Sequence, residues 1–257
     1  IKEELEAALI EHKPTILAMV HAETSTGVCQ PMEGIGDLCR KHDCLLLLDT
    51  VTSLGGVPLY LDEWKVDLAY SCSQKGLSCP PGLGPFTMGP RAEAKLAARQ
   101  DKVPNWYLDV SLLNQYWGSD RVYHHTAPVN MNFGMREALR LLADEGLDMA
   151  WARHRRNAEA LWSGLESMGI EMHVPEELRL PTLTTVRIPD NVDGKAFTQH
   201  LLNNHGIEVG GGLGVLAGKI WRVGLMGYNS NPENVSRLLN LFETELPQFR
   251  QNVAVAA

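Results

Sequence analysis

Read only for its apolar and polar positions, the chain switches between two periods. IKEELEAALIEH (1–12) spaces its apolar residues three and four apart, as an amphipathic helix does, and the continuous apolar run TILAMV (15–20) follows. After Pro31 a second helical pattern, MEGIGDLCRKH, leads into CLLLLD (44–49). A Gly-Gly punctuated stretch, TSLGGVPLYLDEW, then leads into VDLAYS (66–71). Apolar runs with no alternating polar face suit strands buried on both sides, so this part predicts a mainly parallel sheet covered by helices. At PPGLGPFTMGP the rhythm changes to a turn and one short strand, and the segment up to about residue 120 is rich in Trp, Tyr and Asn.

Helical periodicity returns in NFGMREALRLLADEG and, after a break, in LDMAWARHRRNAEALWSGLESMG. The remainder reads as a strand (LTTVRIP), a helix (GKAFTQHLLNNHG), two strands (IEVG and IWRVGL) and a C-terminal helix (ENVSRLLNLFETEL). Strands mixed with helices on one side predict a smaller α+β unit. The expected division is a large α/β domain over 1–147 and a small C-terminal domain over 148–257, with no internal repeat.

Composition narrows the function classes. A net charge of -8, from 23 basic and 31 acidic residues, disfavours a nucleic-acid footprint, which needs clustered Lys and Arg. The one basic run, Arg153-His154-Arg155-Arg156, reads as the solvated face of a helix. Five cysteines at irregular spacing fit neither a disulfide framework nor a metal-binding pair and predict a reducing compartment. No apolar run approaches the ~18 residues of a membrane span. The expected location is cytoplasmic. Because the chain opens inside a helical pattern without an initiator Met, its true N-terminus is expected upstream, and a peroxisomal or mitochondrial address stays open.

Each of the three early strands ends in polar residues: HAETSTG, DTVTSLGG and SQK. Thr24, Asp49 and Lys75 stand 25 and 26 residues apart, about one βαβ unit each. Right-handed crossovers would bring all three to the carboxyl edge of the sheet, where open α/β sheets bind ligands. A buried ammonium–carboxylate pair is a poor source of stability. One reading is a structural ion pair, or a Lys that reaches out to solvent. The other is a lysine that binds pyridoxal phosphate as a Schiff base, with a carboxylate on the pyridine nitrogen.

The strings HAETSTGVCQP, LLLLDTVTSLGGVPL and YSCSQKGLSCPPGLG resemble the alanine–glyoxylate and serine–pyruvate aminotransferase family. This is a class V branch of the fold-type I pyridoxal phosphate enzymes. The resemblance continues in order through WYLDVSLLNQYWG, RVYHHTAPVNMNFGMREAL, LRLPTLTTVRIP, EVGGGLG and IWRVGLMG. It implies a homodimer with shared active sites and pyridoxal 5'-phosphate as cofactor. It also implies transfer of an amino group from alanine or serine to glyoxylate or pyruvate. Lys75 would hold the cofactor and shuttle the proton, and Asp49 would keep the pyridine nitrogen protonated. Val51 would lie against the ring, Thr24 would hydrogen-bond near it, and Gln74 would sit beside the phosphate. Tyr123 and Thr126 would reach the phosphate in the neighbouring subunit, and Arg222 would grip the substrate carboxylate.

His124 and His125, with no carboxylate or cysteine at ligand spacing, read as positioning residues. The run GGGLG (210–214) reads as a turn close to the substrate mouth and not as a phosphate loop, since it lacks the G-x-G-x-x-G spacing. Cys72 and Cys79 read as small buried residues and not as a desulfurase nucleophile. Relative to the family, roughly the first third of the chain is expected to be missing, and with it part of the pocket. The alternatives are another class V enzyme, such as an aminoethylphosphonate transaminase or a desulfurase-like lyase, and an inactive truncated fragment that binds a partner.

Overall fold

A computed structural model describes residues 2–250. Its first half comprises α1 (Lys2–His12), β1 (Ile16–Val20), β2 (Ala22–Glu23), β3 (Val28–Cys29), α2 (Ile35–Lys41), β4 (Leu45–Asp49), β5 (Leu68–Tyr70) and β6 (Phe86–Met88). α3 (Pro90–Ala97) and α4 (Val110–Trp117) follow, then the two long helices α5 (Val129–Glu145) and α6 (Leu147–Ser167). The last third carries β7 (Leu183–Arg187), α7 (Gly194–His205), β8 (Gly210–Gly211), β9 (Ile220–Gly224) and α8 (Pro232–Glu245).

β1, β4 and β5 pair in parallel in that order, and β6 closes the edge antiparallel to β5. Leu46 and Leu48 of β4 are fully buried with Leu9 of α1, Met32 from the segment before α2, and Ile35 and Cys39 of α2. That packing explains the unbroken apolar run of β4: the middle strand has no solvent face. The second helix starts at Ile35 and not at Met32, because Gly34 sits in the left-handed region at φ 78° and interrupts the helical backbone.

The second core is aromatic. Phe197, Trp221 and Phe242 meet with ring centroids 5.0–5.5 Å apart, between the antiparallel sheet β7-β9-β8 and the helices α6, α7 and α8. Rings of this size dominate the burial term, at about 25 cal/mol per Å2 of apolar surface removed from water. Three of the α-helices have side-chain caps: Asp109 accepts from Ser111 N before α4, Asp193 from Ala196 N before α7, and Asn231 from Asn234 N before α8. The expected strand IEVG shrinks to Gly210–Gly211, which pairs with Arg222 and Trp221. The hairpin β2-β3 and the helices α3 and α4 were outside the expectation.

The basic run in α6 corrects the sequence reading. Arg155 and Arg156 are solvated, but His154 is fully buried, and Arg153 donates to the carbonyls of Gly227 and Ser230 while pairing with Glu145. His154 Nδ1–H donates to Ala150 O, so its Nε2 is free to accept the N–H of Gly227 at 2.9 Å. That tautomer leaves no room for a second proton. Burial pushes its pKa below the ordinary value of 6.5, and burial pushes that of His21 down to about 4.

Stability therefore has a defined pH dependence. The unfolded chain takes up protons at these histidines once the pH falls below about 6.5, whereas the folded chain does not, so stability present above 6.5 is lost toward pH 4. Chemical unfolding at pH 7.5, 6 and 5 should give a falling midpoint. The slope from His21 alone should approach about 1.4 kcal/mol per pH unit. A midpoint flat from pH 7.5 to 5 would remove both histidines from this role.

Candidate active site

The residue that opens the question, Lys75, lies five residues beyond the end of β5, in a turn fixed from both sides. Ser78 N donates to Lys75 O, Cys79 N donates to Ser73 O, and the Ser73 hydroxyl donates to Pro80 O. Two close approaches lock this turn. A Cβ on Gly76 would stand 2.2 Å from Leu54 O, and one on Gly227 would stand 1.9 Å from Ser78 Oγ. Ser78 itself adopts φ 56°, and its Oγ accepts from Tyr228 N at 2.8 Å. The lysine backbone is thus clamped between the turn at 54–56 and the segment after β9.

Its half-buried side chain has neither hydrogen-bond nor ion-pair partner among the described residues. It faces a cavity of about 650 Å3, within the usual range for a small-molecule site, together with Gln74, Ser78, Cys79, Gly210, Arg222 and Tyr228. The sheet edge and the small antiparallel sheet contribute opposite walls. Thr182 Oγ1 and Thr185 Oγ1, from the approach to β7 and from β7 itself, donate to Thr52 O and Thr26 O and hold those walls together.

Arg222, in the middle of β9, is held by main-chain acceptors. Nε donates to Gly211 O at 2.7 Å and Nη1 to Thr24 O at 3.0 Å. One N–H on Nη1 and both on Nη2 are left, which is the pair of parallel donors that a carboxylate takes end-on. Gly210 lies beside this fork: a Cβ there would be 3.5 Å from Nη2. Of the glycine run only Gly210 lines the cavity, and Gly210–Gly211 form strand β8 where a turn was expected. The contribution of Thr24 to this arrangement is its carbonyl oxygen.

Asp49 ends β4, opposite Tyr70 of β5 in the sheet register. Its Oδ1 accepts from Val51 N at 2.8 Å and its Oδ2 from the Tyr70 hydroxyl at 2.6 Å. Tyr70 is raised to about 12, chiefly by that hydrogen bond, so it stays a donor. A carboxylate offers about four acceptor sites, so Asp49 keeps capacity for about two more donors. Tyr70, Ser78 and Tyr228 escaped the sequence reading. Only the apolar-then-polar ending of the VDLAYS strand could have pointed to Tyr70.

Five expected site residues do not line the Lys75 cavity: Thr24 just after β2, Asp49 and Val51 at and beyond the end of β4, and Tyr123 and Thr126. Tyr123 and Thr126 are on an exposed loop, hydrogen-bonded to each other at 2.9 Å, and neither lines the Lys75 cavity of this chain. His124, next to them, is buried and stacked on Trp106 at 3.9 Å, with its Nδ1 2.9 Å from that of His125. Cys79 is buried as expected; Cys72 is half-buried.

Fold and cavity together define an α/β protein with a cavity of small-molecule size between a parallel sheet edge and a smaller antiparallel unit. The aminotransferase class-V family model matches residues 1–238, and the chain belongs to that family. The alanine–glyoxylate aminotransferase of Oryctolagus cuniculus is 43% identical over 97% of this chain and 65% of its own length. The crystal structure of alanine–glyoxylate aminotransferase from Nostoc sp. superimposes with TM-score 0.91 at 65% identity, over 94% of this chain and 64% of that one. That of ureidoglycine–glyoxylate aminotransferase from Bacillus subtilis gives TM-score 0.93 at 38% identity, over 99% and 66%. The chain thus spans about 65% of the length of the curated relative. The similarity to these structures establishes the fold-type I transferase architecture expected from the sequence.

Proposed function

We propose that this chain forms the lysine-bearing part of a pyridoxal phosphate-dependent aminotransferase that moves the amino group of alanine or serine to glyoxylate or pyruvate. One observation carries the reading: an unpaired lysine and a pre-oriented arginine fork face each other across one cavity. The names of all three relatives above contain glyoxylate, which supports a 2-oxo acid of that size as acceptor. Among the described residues no helix is long and apolar enough to cross a membrane.

The residues fit the cofactor. Lys75 offers a free amine on the cavity wall, and Asp49 offers a carboxylate acceptor at the neighbouring strand end. Bound pyridoxal phosphate supplies an electron sink for the electrons released at the substrate Cα. Asp49 would hold a proton on the ring nitrogen, and its bonds from Val51 N and Tyr70 would keep the carboxylate oriented. Val51 would flank the ring, and Thr24 and Gln74 would lie around it. Lys75 would take the Cα proton and return it at the neighbouring carbon. Arg222 would fix the substrate by its carboxylate, so that donor and acceptor occupy the same place in turn.

Tyr123 and Thr126 would serve the active site of a second copy. The exposed Trp106, Tyr107, Trp117 and Phe133 around that loop suit a homodimer contact. The division into two domains at residues 147 and 148 belongs to the same proposal. Gly146, at φ 84°, separates α5 from α6 there. Desulfurase chemistry is disfavoured because Cys79, the cysteine on the cavity wall, is pinned by its N–H to Ser73 O.

Arg222→Lys tests the reading directly. A point ammonium keeps the charge but loses the fork, so KM for alanine, serine, pyruvate and glyoxylate should rise together, by about tenfold or more. Cofactor affinity should stay within about threefold. Equal loss of cofactor and substrate affinity would make Arg222 a structural residue. Loss for a single substrate would place it on a side chain and not on the common carboxylate. Ureidoglycine belongs in the donor panel because of the Bacillus relative.

A further inference from the structure

We propose that His200, His205 and Glu245 form a binding site for a divalent transition-metal ion of the zinc type. The site lies on the outside of the small unit and shares no residue with the Lys75 cavity. His200 and His205 lie in the last part of α7, and Glu245 is the last residue of α8. Both imidazoles turn their Nε2 toward the one carboxylate. His200 Nε2 is hydrogen-bonded to Glu245 Oε2, and His205 Nε2 lies 2.9 Å from Oε1 and 3.0 Å from Oε2. A ligand atom from each residue lies within 4.8 Å of those of the other two.

Two imidazole nitrogens and a carboxylate oxygen are a donor set that zinc accepts with a fourth position open to water. Ligand atoms around tetrahedral zinc stand about 3.3 Å apart, given metal–ligand distances of about 2.0–2.1 Å. The histidine–carboxylate separations lie below that value and all three ligand atoms lie within 4.8 Å of one another, so small side-chain rotations would bring all three onto one ion. The exposure matches as well: side chains 24%, 26% and 19% exposed are sheltered but leave solvent access for the fourth ligand.

The surroundings would orient the ligands. Asn204 Nδ2 stands 2.8 Å from His200 Nδ1, and rotating that amide by half a turn would place its oxygen to accept from Nδ1–H. The Phe249 ring lies 5.1 Å from that of His200 and covers one side. Arg237 donates to His205 O and fastens the end of α7 to α8. The proton balance is simple. Each neutral imidazole moves its proton from Nε2 to Nδ1, and the ion replaces two N–H···O bonds to the carboxylate without net proton release.

Titration of the whole protein with Co2+ tests the site. One Co2+ per chain should bind at low micromolar concentration and neutral pH, with the visible bands of a four- or five-coordinate ion, and Zn2+ should displace it. Zn2+ should also raise the melting temperature. Glu245→Gln keeps the hydrogen bonds but loses the charge, and it should weaken Co2+ binding at least tenfold, as should His205→Ala. His42→Asn, at a different histidine–glutamate contact, should bind as the parent does. Absence of stoichiometric binding by the parent overturns the site and leaves only a hydrogen-bonded triad. So does binding by Glu245→Gln within threefold of the parent, which would move the metal to other groups.

Discussion

In an active preparation of the protein, Lys75→Ala should lower turnover by about ten-thousandfold or more, because it removes the group proposed to carry the Cα proton, and general acid–base catalysis alone is worth about a hundred- to ten-thousandfold. The fold should survive the change. The turn is held by main-chain bonds and by the close approaches of Gly76 and Gly227, none of which involve the lysine side chain. The melting temperature should therefore stay within a few degrees of the parent. Two readouts separate chemistry from architecture. Borohydride should fix pyridoxal phosphate to the peptide containing Lys75 in the parent and to none in the variant. Small primary amines added to the variant should restore part of the rate, since a free base can enter a cavity of about 650 Å3. Labelling of another lysine in the parent would transfer the role elsewhere.

The sheet was legible because its strands are continuous apolar runs: TILAMV and CLLLLD carry enough apolar residues to define β1 and β4 without any tertiary information, but only β4 has the expected burial on both faces, whereas β1 alternates exposed and half-buried positions. The positions of Asp49 and Lys75 at and beyond the ends of neighbouring parallel strands were legible for a related reason, since parallel connectivity fixes which way each strand runs; of the three expected residues Lys75 lines the cavity, and Thr24 and Asp49 do not. Short elements escaped. Two-residue strands such as β2 and β8 are set by partners distant in sequence, and β8 pairs where Gly210 lets Arg222 lie close. His154 was misread because one helical turn of the basic run faces inward: a register of 3.6 residues puts His154 on the buried side and Arg155 and Arg156 outside. The Tyr70–Asp49 contact was invisible because it depends on strand register, which a single sequence states only after the sheet is built. The resemblance supplied roles for Arg222, Tyr123 and Thr126, which spacing alone could not.

Asp49→Asn should be the second large loss, on the order of a thousandfold in turnover, comparable to removing a pre-oriented electrostatic group at a site of developing charge. The substitution keeps volume and the acceptor oxygen for Val51 N, so cofactor binding should remain measurable and the sheet edge intact. What it loses is the negative charge that, in the proposed reading, would stabilise a proton on the ring nitrogen. The Tyr70 hydroxyl then decides between two explanations. It donates to Asp49 Oδ2, where an amide NH2 would offer no acceptor. Tyr70→Phe alone should lower turnover only modestly, within about tenfold, because the charge remains and only its orientation is loosened. If Tyr70→Phe equals Asp49→Asn, the essential element is the hydrogen bond and not the charge. If Asp49→Asn stays within about threefold of the parent, a difference of about 0.65 kcal/mol in barrier, then Asp49 does not support the electron sink at all.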